Sequence, residues 1–583
     1  MKKMFTADFE TSTLEWFKID KEARVWAYSL CEIGNTSNFL YGNSIDDFMN
    51  FCMDKKTNYT LWFHNLKFDG EYIFNWLLKN DYECIKEKSE RHNKTFMCLL
   101  SDTGQFYSIE IYFEVKDKKV NKVTIYDSLK ILNFSVEKIA QDFNLPIRKL
   151  ELDYDTYRKK GHILTFHEID YIRNDVEIMA RALEIMFGKD LKKITIGSDA
   201  LYNYKKTISR FEFYFPMLGD KDELVRKSYR GGWTYLNPLY KEKQVKKGIV
   251  IDKNSMYPSV MYYCNLPFGE PVYFEGEYQK DLCYPLYIQV MSCSFSIKEH
   301  KLPTIQLKHT MGYMENEYIE TTDGKIETLC LTSVDMKLFK EHYNIDDVTY
   351  ICGFKFKQIK GLFKNYIDEW SGNKIKAKHD GNGAMYTISK LMLNSLYGKF
   401  GLNPSVRGKY PYLKSDGSVG YSMYAREERD SIYVPLASFV TAYARYDIIS
   451  NSQAIRDYTL DKYRKDYYIY SDTDSIHCLY LSDEELSKIM DIDDYRLGAY
   501  KKESEFKEAS FIRQKCYIEV DYDGNVHSTI AGMPKKLSKY VNLSNFKRGF
   551  TIPANDVSYE DKKLTYAHVN GGVLLAPIDF TIK

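Results

Sequence analysis

The chain runs to 583 residues with 82 Lys+Arg against 81 Asp+Glu, 44% apolar and 15% aromatic residues. That is enough for about three or four domains with cores of their own, and the composition excludes a disulfide-stapled miniature, a disordered chain, a collagen and a long coiled coil. No run of about 18 apolar residues occurs, and the N-terminal MKKMFTADFETST has neither an apolar stretch nor a small-residue cleavage site, so a cytoplasmic protein is expected, neither secreted nor membrane-spanning.

In chain order, the first ~190 residues read as alternating strands and helices. KMFTADFE and RVWAYSLCEI have strand character, DGEYIFNWLLKN helical character and VTIYDSLK strand character; SVEKIAQDF and EIDYIRNDVEIMARALEIMF repeat apolar residues at three and four, the helical spacing. An α/β domain is expected, ending near KKITIGSDA, where a long helix stops and a new pattern opens. Next come a strand-like KKGIVIDKNSMYPSV, a mixed stretch to about residue 360 and a basic helical segment around residues 373 to 397. YYIYSDTDSIHCLYL alternates like a hairpin with its tight turn at Asp472-Thr473. The last ~50 residues, basic and glycine-containing, predict a small appended subdomain, and no internal repeat suggests a solenoid or propeller.

The 11 cysteines are scattered without a CxxC pair, which fits a reducing compartment and argues against structural zinc. A net charge of +1 hides local fields. Gly353 to Phe400 holds nine Lys against three acids, and Ala531 to Phe550 four Lys and one Arg against none. Both carry interleaved aromatics, the combination that tracks a phosphate backbone and stacks on bases, although a solvated face is the plain reading of either alone. Most of the 51 tyrosines must be half-buried core residues with a wetted hydroxyl.

Asp472 and Asp474 lie two residues apart at a strand-turn-strand junction, where like charges repel and a divalent cation would relieve them; a hairpin tip with Asp at turn positions is the plain alternative. Asp252 ends the apolar strand GIVID and is followed by Lys253-Asn-Ser255-Met-Tyr257-Pro258, where the proline should keep the chain out of an immediate helix. A strand-end carboxylate facing an acidic turn is an arrangement that holds two metals for phosphoryl transfer, and oxygen-only ligands favour Mg²⁺ or Mn²⁺. At helical spacing Lys390, Asn394 and Tyr397 share a face and offer a cation, an amide and a ring to one ligand, as a metal-bound nucleoside triphosphate requires.

These three segments, Asp252 to Pro258, Lys390 to Gly398 and Tyr470 to Ser475, resemble motifs A, B and C of family B DNA polymerases, in order. Tyr229-Arg-Gly231-Gly232 resembles the YxGG motif, Thr441-Ala-Tyr-Ala444-Arg445 the primer-binding Tx2GR motif with Ala for Gly, and Lys515-Cys-Tyr517 the KxY motif. Essentially the whole chain is similar to the protein-primed polymerases of small tailed phages, the phi-29 type. The resemblance implies a right-hand polymerase of palm, fingers and thumb behind an RNase H-like exonuclease domain, α/β and α+β in class. It implies that Asp252 and Asp474 ligate two Mg²⁺, for which Mn²⁺ can substitute, with the Lys253 carbonyl assisting and Asp472 in support. Ser255, Tyr257, Lys390, Asn394 and Tyr397 would face the nucleotide, Tyr257 as gate against a 2′-hydroxyl. Tyr229, Gly231, Gly232, Thr441, Arg445, Lys515 and Tyr517 would contact DNA.

A second acidic set stands near the N-terminus. Asp8 and Glu10 fall on one face of the first strand, Asp69 follows in HNLKFDG, and Asp175 has Tyr171 one helical turn before it. Taken singly, such acids are ordinary surface residues. Together they resemble the DEDD 3′-5′ exonucleases, which implies two further metals on Asp8, Glu10, Asp69 and Asp175, with Tyr171 orienting the attacking water. By the same resemblance Lys149 is the catalytic lysine, and Thr11, Asn65, Phe68, Ser128, Leu129 and Tyr154 are single-strand ligands.

The family pattern divides the chain into an exonuclease domain (1–195), palm (196–263 and 431–532), a terminal-protein insertion (264–360), fingers (361–402), a second insertion for processivity and strand displacement (403–430) and thumb (533–583). The expected partners are template-primer DNA, dNTPs and a terminal protein as primer, with the chain a monomer in the infected bacterial cytoplasm. Tyr386 stands where relatives often have Lys. Two alternatives remain at this stage: a DNA-primed polymerase-exonuclease without terminal protein, and a nucleic-acid-binding protein with decayed sites.

Overall fold

The computed structural model describes residues 3–54, 57–116, 119–154, 156–306 and 318–583. Part of the expected 264–360 insertion, residues 307–317, thus lies outside the described residues. The fold is a multidomain assembly of mixed α/β layers built on three principal sheets.

The first sheet has eight strands in the order Asn35–Gly42, Val25–Glu32, Lys3–Thr11, Tyr59–Phe63, Lys119–Asp127, Phe106–Lys116, Thr95–Leu100, Glu83–Cys84. Its central strands Lys3–Thr11, Tyr59–Phe63 and Lys119–Asp127 run parallel. Such strands need cover on both faces, and the middle one, Tyr59–Phe63, is buried along its whole length. The helix Leu66–Lys79 lies against this sheet. So does the 23-residue helix Phe166–Gly188, started by a Thr165–Glu168 capping box. The sequence reading found the strands around residues 3–11, 25–32 and 123–127 but not Asn35–Gly42, Tyr59–Phe63 or the antiparallel strands of residues 95–116.

The second sheet has seven antiparallel strands, with Gln244–Lys253 at its centre between Tyr500–Arg513 and Ser475–Leu479. The 30-residue helix Val434–Tyr463 supports it and buries Leu436, Phe439, Val440, Ile448 and Ile455. A third sheet, Asn265–Glu275, Tyr343–Lys360, Leu286–Ile297 and Glu327–Thr332, occupies the expected first insertion.

Three local expectations are corrected. The expected helix at 373–397 is an antiparallel pair, Lys364–His379 and Gly383–Ser395, broken at Gly381, whose φ of +66° suits glycine. Pro258 does not keep the chain out of a helix. It sits in the first turn of Met256–Tyr263, where its missing N–H has no partner to lose. The hairpin turn falls one residue later than expected, on Thr473-Asp474, because Asp472 still pairs with Ser475 and Thr473 takes φ +66°.

Candidate active sites

Pleat alternation along Lys3–Thr11 turns Asp8 and Glu10 to one side, where the helix Phe166–Gly188 presents Asp175. Carboxylate oxygens of Asp8, Glu10 and Asp175 lie within 4.8 Å of one another. Asp69, in the first turn of Leu66–Lys79, is 3% exposed and close enough that its charge opposes ionisation of Glu10, while Asp8 opposes its own. Burial, then mutual repulsion, pushes Asp8 up to about 7 and Glu10 and Asp69 well above the usual carboxylate range. Asp175 is also raised by burial, against the pull of Lys149.

Lys149 Nζ bonds Asp175 Oδ2 and lies 5.2 Å from the Tyr171 ring centre. Although burial works against its charge, Asp175, Asp8 and Glu10 hold it protonated above its ordinary range. Tyr154 and Tyr171 share a hydroxyl contact of 2.7 Å. The expected catalytic lysine and both tyrosines are therefore brought to one cluster with the acids. Asp69 Oδ1 and Asp175 Oδ1 are buried without a hydrogen-bond partner. Four converging acids, one lysine and two orphaned buried oxygens fit hard divalent cations.

The expected single-strand ligands border this cluster. Asn65 adopts φ +74°, and its amide donates to Tyr566 Oη at 3.1 Å, while Phe68 and Tyr566 pack at 5.8 Å. Thr11 ends the strand that carries Asp8 and Glu10. Ser128 faces inward instead: it is fully buried, donates to Phe63 O at 2.9 Å and meets His64 Nδ1 at 3.0 Å. A residue that sequence reasoning missed orders this edge. Asp127 Oδ1 accepts the backbone N–H groups of Asn65, Leu66 and Leu129 at 3.0, 3.3 and 3.0 Å, capping the Asp69 helix from another strand.

The second site forms where Asp252, at the end of the central strand, pairs with Ser475 and so lies beside the Thr473-Asp474 turn. Lys253 N donates to Asp474 O at 2.9 Å, which ties strand end to turn. Burial, then the charges of Asp252, Asp472 and Glu503, pushes Asp474 up to about 6. Asp252 is raised by burial and by Glu503, with Lys501 at 3.5 Å and Lys390 opposing. Asp472 is spent otherwise: it accepts Tyr470 Oη at 3.2 Å and Thr234 Oγ1 at 3.3 Å and pairs with Lys515 Nζ at 3.1 Å.

Beside Asp252 stands a cationic group. Lys374 is held below its ordinary range by burial and by Lys390, Lys501 and Lys378. Of these the sequence reading named only Lys390, which with Asn394 is exposed on Gly383–Ser395. The Tyr257 and Tyr397 rings stack at 4.1 Å, next to Ser255 at φ +52°. Lys374, Lys390 and Lys501, two stacked phenols and two acids gather into one set suited to a polyphosphate bearing a flat base.

Of the expected DNA ligands, Tyr229 packs so closely under Gly401 that a Cβ there would lie 2.6 Å from its ring. A Cβ on Gly232 would lie 2.8 Å from Thr473, so this glycine lets the loop touch the acidic turn. Tyr517 packs on Tyr470 and Phe511. Thr441 and Arg445 are not exposed ligands here. Thr441 bonds its own helix, and Arg445, 4% exposed, forks onto Asp335 at 2.9–3.0 Å while donating to the carbonyls of Arg230 and Gly231. Asp335→Ala leaves that guanidinium buried and unpaired and is expected to cost about 3–5 kcal/mol in chemical denaturation.

Residues 51–489 match the family model for type B DNA polymerases, organellar and viral. The chain is 43% identical to the DNA polymerase of Bacillus phage M2, with both chains covered in full, and 32% identical to that of Streptococcus phage Cp-1, with 99% and 98% covered. The structure superposes on that of phi29 DNA polymerase with primer-template DNA and incoming nucleotides at a TM-score of 0.90 and 41% identity, again with both chains covered in full. The acid pair of the central sheet, its cationic neighbours and these likenesses agree: the chain belongs to the type B DNA polymerases of the organellar and viral family, and among them to the phi29-type phage enzymes.

Proposed function

We propose that this DNA polymerase replicates a linear phage genome inside an infected bacterium by protein-primed initiation, displaces the non-template strand as it advances, and corrects its product with a 3′-5′ exonuclease. The observation that carries the reading is the presence, in one chain, of two acidic centres on two separate sheets, Asp252 with Asp474 and Asp8 with Glu10, Asp69 and Asp175. Phi29 DNA polymerase is known in complexes with primer-template DNA, with incoming nucleotides and with single-stranded DNA, which supports the same ligands here.

At the polymerase centre, Lys390, Lys374 and Lys501 attract the triphosphate, and Tyr257 with Tyr397 forms the floor on which sugar and base rest, closed to a 2′-hydroxyl. Lys515, held by Asp472, positions the primer strand. Divalent metals, Mg²⁺ or Mn²⁺, held by Asp252, Asp474 and the Lys253 carbonyl, would supply acidification of the primer 3′-hydroxyl and charge neutralisation of the departing pyrophosphate. At the exonuclease centre Asp8, Glu10, Asp69 and Asp175 would hold the second pair. Tyr171, fixed by Tyr154, orients a water, and Lys149 balances charge. Thr11, Asn65, Phe68 and Leu129 line the single strand's way in, with Ser128 bracing them from beneath.

The division into exonuclease domain, palm, fingers, thumb and two insertions belongs to this reading and is supported by the separate sheet of residues 265–360. The test is extension of one primer on a circular single strand with Mg²⁺ and all four dNTPs. Products many times longer than the circle are expected. Arrest after one circuit would remove strand displacement. Transfer of a labelled dNMP to a candidate terminal protein is expected in parallel, and its failure would favour a DNA-primed enzyme.

A further inference from the structure

The helix that carries Asp69 also carries a carboxylate that neither active site uses. Glu71 is 1% exposed. Tyr421, from the hairpin Lys409–Leu413/Val419–Met423, donates its hydroxyl to Glu71 Oε1 at 2.7 Å. His568, from the C-terminal hairpin Lys563–Val569/Gly572–Ile578, places Nδ1 3.3 Å from Glu71 Oε2, an oxygen with no hydrogen bond of its own. The Tyr421 and His568 rings meet edge to face at 6.3 Å. One buried carboxylate thus joins three parts of the chain that are far apart in sequence.

The surrounding seam has the same three members. Asn75, one turn along the helix, donates to Gly417 O at 2.8 Å, and Lys79 Nζ reaches Asn570 Oδ1 at 3.0 Å. The two hairpins also touch each other: a Cβ on Gly417, at φ +80°, would lie 2.4 Å from Asn570 Oδ1. Val419 from one hairpin and Val573 and Leu574 from the other are buried in the core under the eight-stranded sheet.

We propose that Glu71 is a clasp, a positioning residue that locks both hairpins onto the helix Leu66–Lys79 and thereby closes a passage around bound DNA. Docking the Tyr421 hairpin alone would strip water from the carboxylate and leave Oε2 without the imidazole beside it. Docking the His568 hairpin alone would leave Oε1 without its donor. Tyr421 and His568 both stand against the carboxylate only when both hairpins are seated, so it makes two separate docking steps one cooperative step. What it governs is the number of nucleotides added per encounter with DNA, not the chemistry of each addition. The inference rests on the proposed reading of residues 403–430 as an element that embraces DNA.

The test uses the full chain bound to a primed circular single strand, started with Mg²⁺ and dNTPs together with heparin to trap released enzyme. Glu71→Ala and Tyr421→Phe are each expected to shorten the product made per binding event about tenfold, the factor one lost charge-assisted hydrogen bond is worth, with the rate of a single insertion on a short primer-template unchanged. Both are also expected to speed tryptic nicking within residues 403–430. Tyr421→Phe removes one oxygen, so it keeps the experiment decisive if Glu71→Ala folds poorly. Long products from the unaltered enzyme and equally long ones from Tyr421→Phe would overturn the clasp alone. Release of the unaltered enzyme after a few nucleotides would overturn both the embracing passage and the clasp.

Discussion

Replacing Asp8 by Asn and Glu10 by Gln is expected to abolish 3′-5′ degradation of single strands, leave primer extension intact and raise the melting temperature of the metal-free protein at pH 8. The third effect follows from the electrostatics. Burial and then the charge of Asp175 push Asp8 up to about 7 from its ordinary 3.8, and Glu10, Asp69 and Asp175 are shifted the same way. Groups with raised acid pKa values hold protons in the folded state that the unfolded chain has released. Their stabilising protonation is complete below pH 4 and is lost as pH rises toward 7, so at pH 8 the cluster carries its full penalty of crowded charge. For Asp8 alone this is on the order of 4 kcal/mol, shared across a coupled set.

The amide pair removes two of the four charges and with them most of that penalty. It should also remove the response to Mg²⁺ or Mn²⁺ at this site. In the unaltered protein the thermal shift on adding metal should be larger at pH 8 than at pH 6, because cations compete with protons for the same oxygens. In the Asp8→Asn, Glu10→Gln protein the difference between the two pH values should shrink to the part that the polymerase centre contributes. Differential scanning calorimetry with and without chelator measures both. A lower metal-free melting temperature in the variant, or an extension rate that falls with exonuclease activity, would contradict the assignment of a separate metal-binding centre.

How much of this was legible in the sequence depends on the range of the interaction. Asp8 with Glu10, and Tyr171 with Asp175, follow from strand alternation and helical spacing, because each pair is set within one element. Asp252 and the acidic turn were matched as strand end and hairpin from residue types, but Asp474 was singled out over Asp472 only through the family pattern, since their meeting depends on the pairing of Gly248–Asp252 with Ser475–Leu479. The residues that were missed or misplaced are those whose surroundings come from elsewhere in the chain. Glu503 reaches the polymerase acids from a strand whose register shifts opposite Val250/Ile251, so simple alternation does not place it. Arg445 reads as a cation for DNA until Asp335, 110 residues away, is seen to hold it. Lys374 lies on the far helix of a pair that sequence periodicity read as one. Asp127, Glu71 and Tyr421 carry no local signal, because a buried carboxylate becomes intelligible only with the backbone amides or hydroxyls it accepts.

The asymmetry between Asp474 and Asp472 yields the second large effect. Two residues apart in one acidic turn, they invite the same role, yet their partners differ. Asp472 is already paired with Lys515 and bonded by Tyr470 and Thr234. Asp474 is pushed up to about 6 by burial and by the charges of Asp252, Asp472 and Glu503, the condition of a carboxylate waiting for a cation. Asp474→Asn is therefore expected to lower the single-turnover rate of nucleotide insertion about a thousandfold or more, with 3′-5′ degradation retained. Asp472→Asn should lose about tenfold, mainly as weaker use of the primer through a loosened Lys515, since a partly exposed ion pair is worth little by itself. The sign of the pH dependence separates the roles further. With a raised pKa, Asp474 is ionised, and able to hold metal, only as pH climbs past about 6, so insertion should fall on the acid side of that value and recover as metal concentration is raised. In the Asp472→Asn protein one like charge facing Asp474 is gone, so the acid limb should move to lower pH. Quenched-flow measurements from pH 5.5 to 8 at two Mg²⁺ concentrations, a range set by the roughly one-unit breadth of a single titration, resolve both. Equal losses from the two variants, or an acid limb indifferent to metal, would assign the turn a purely structural part.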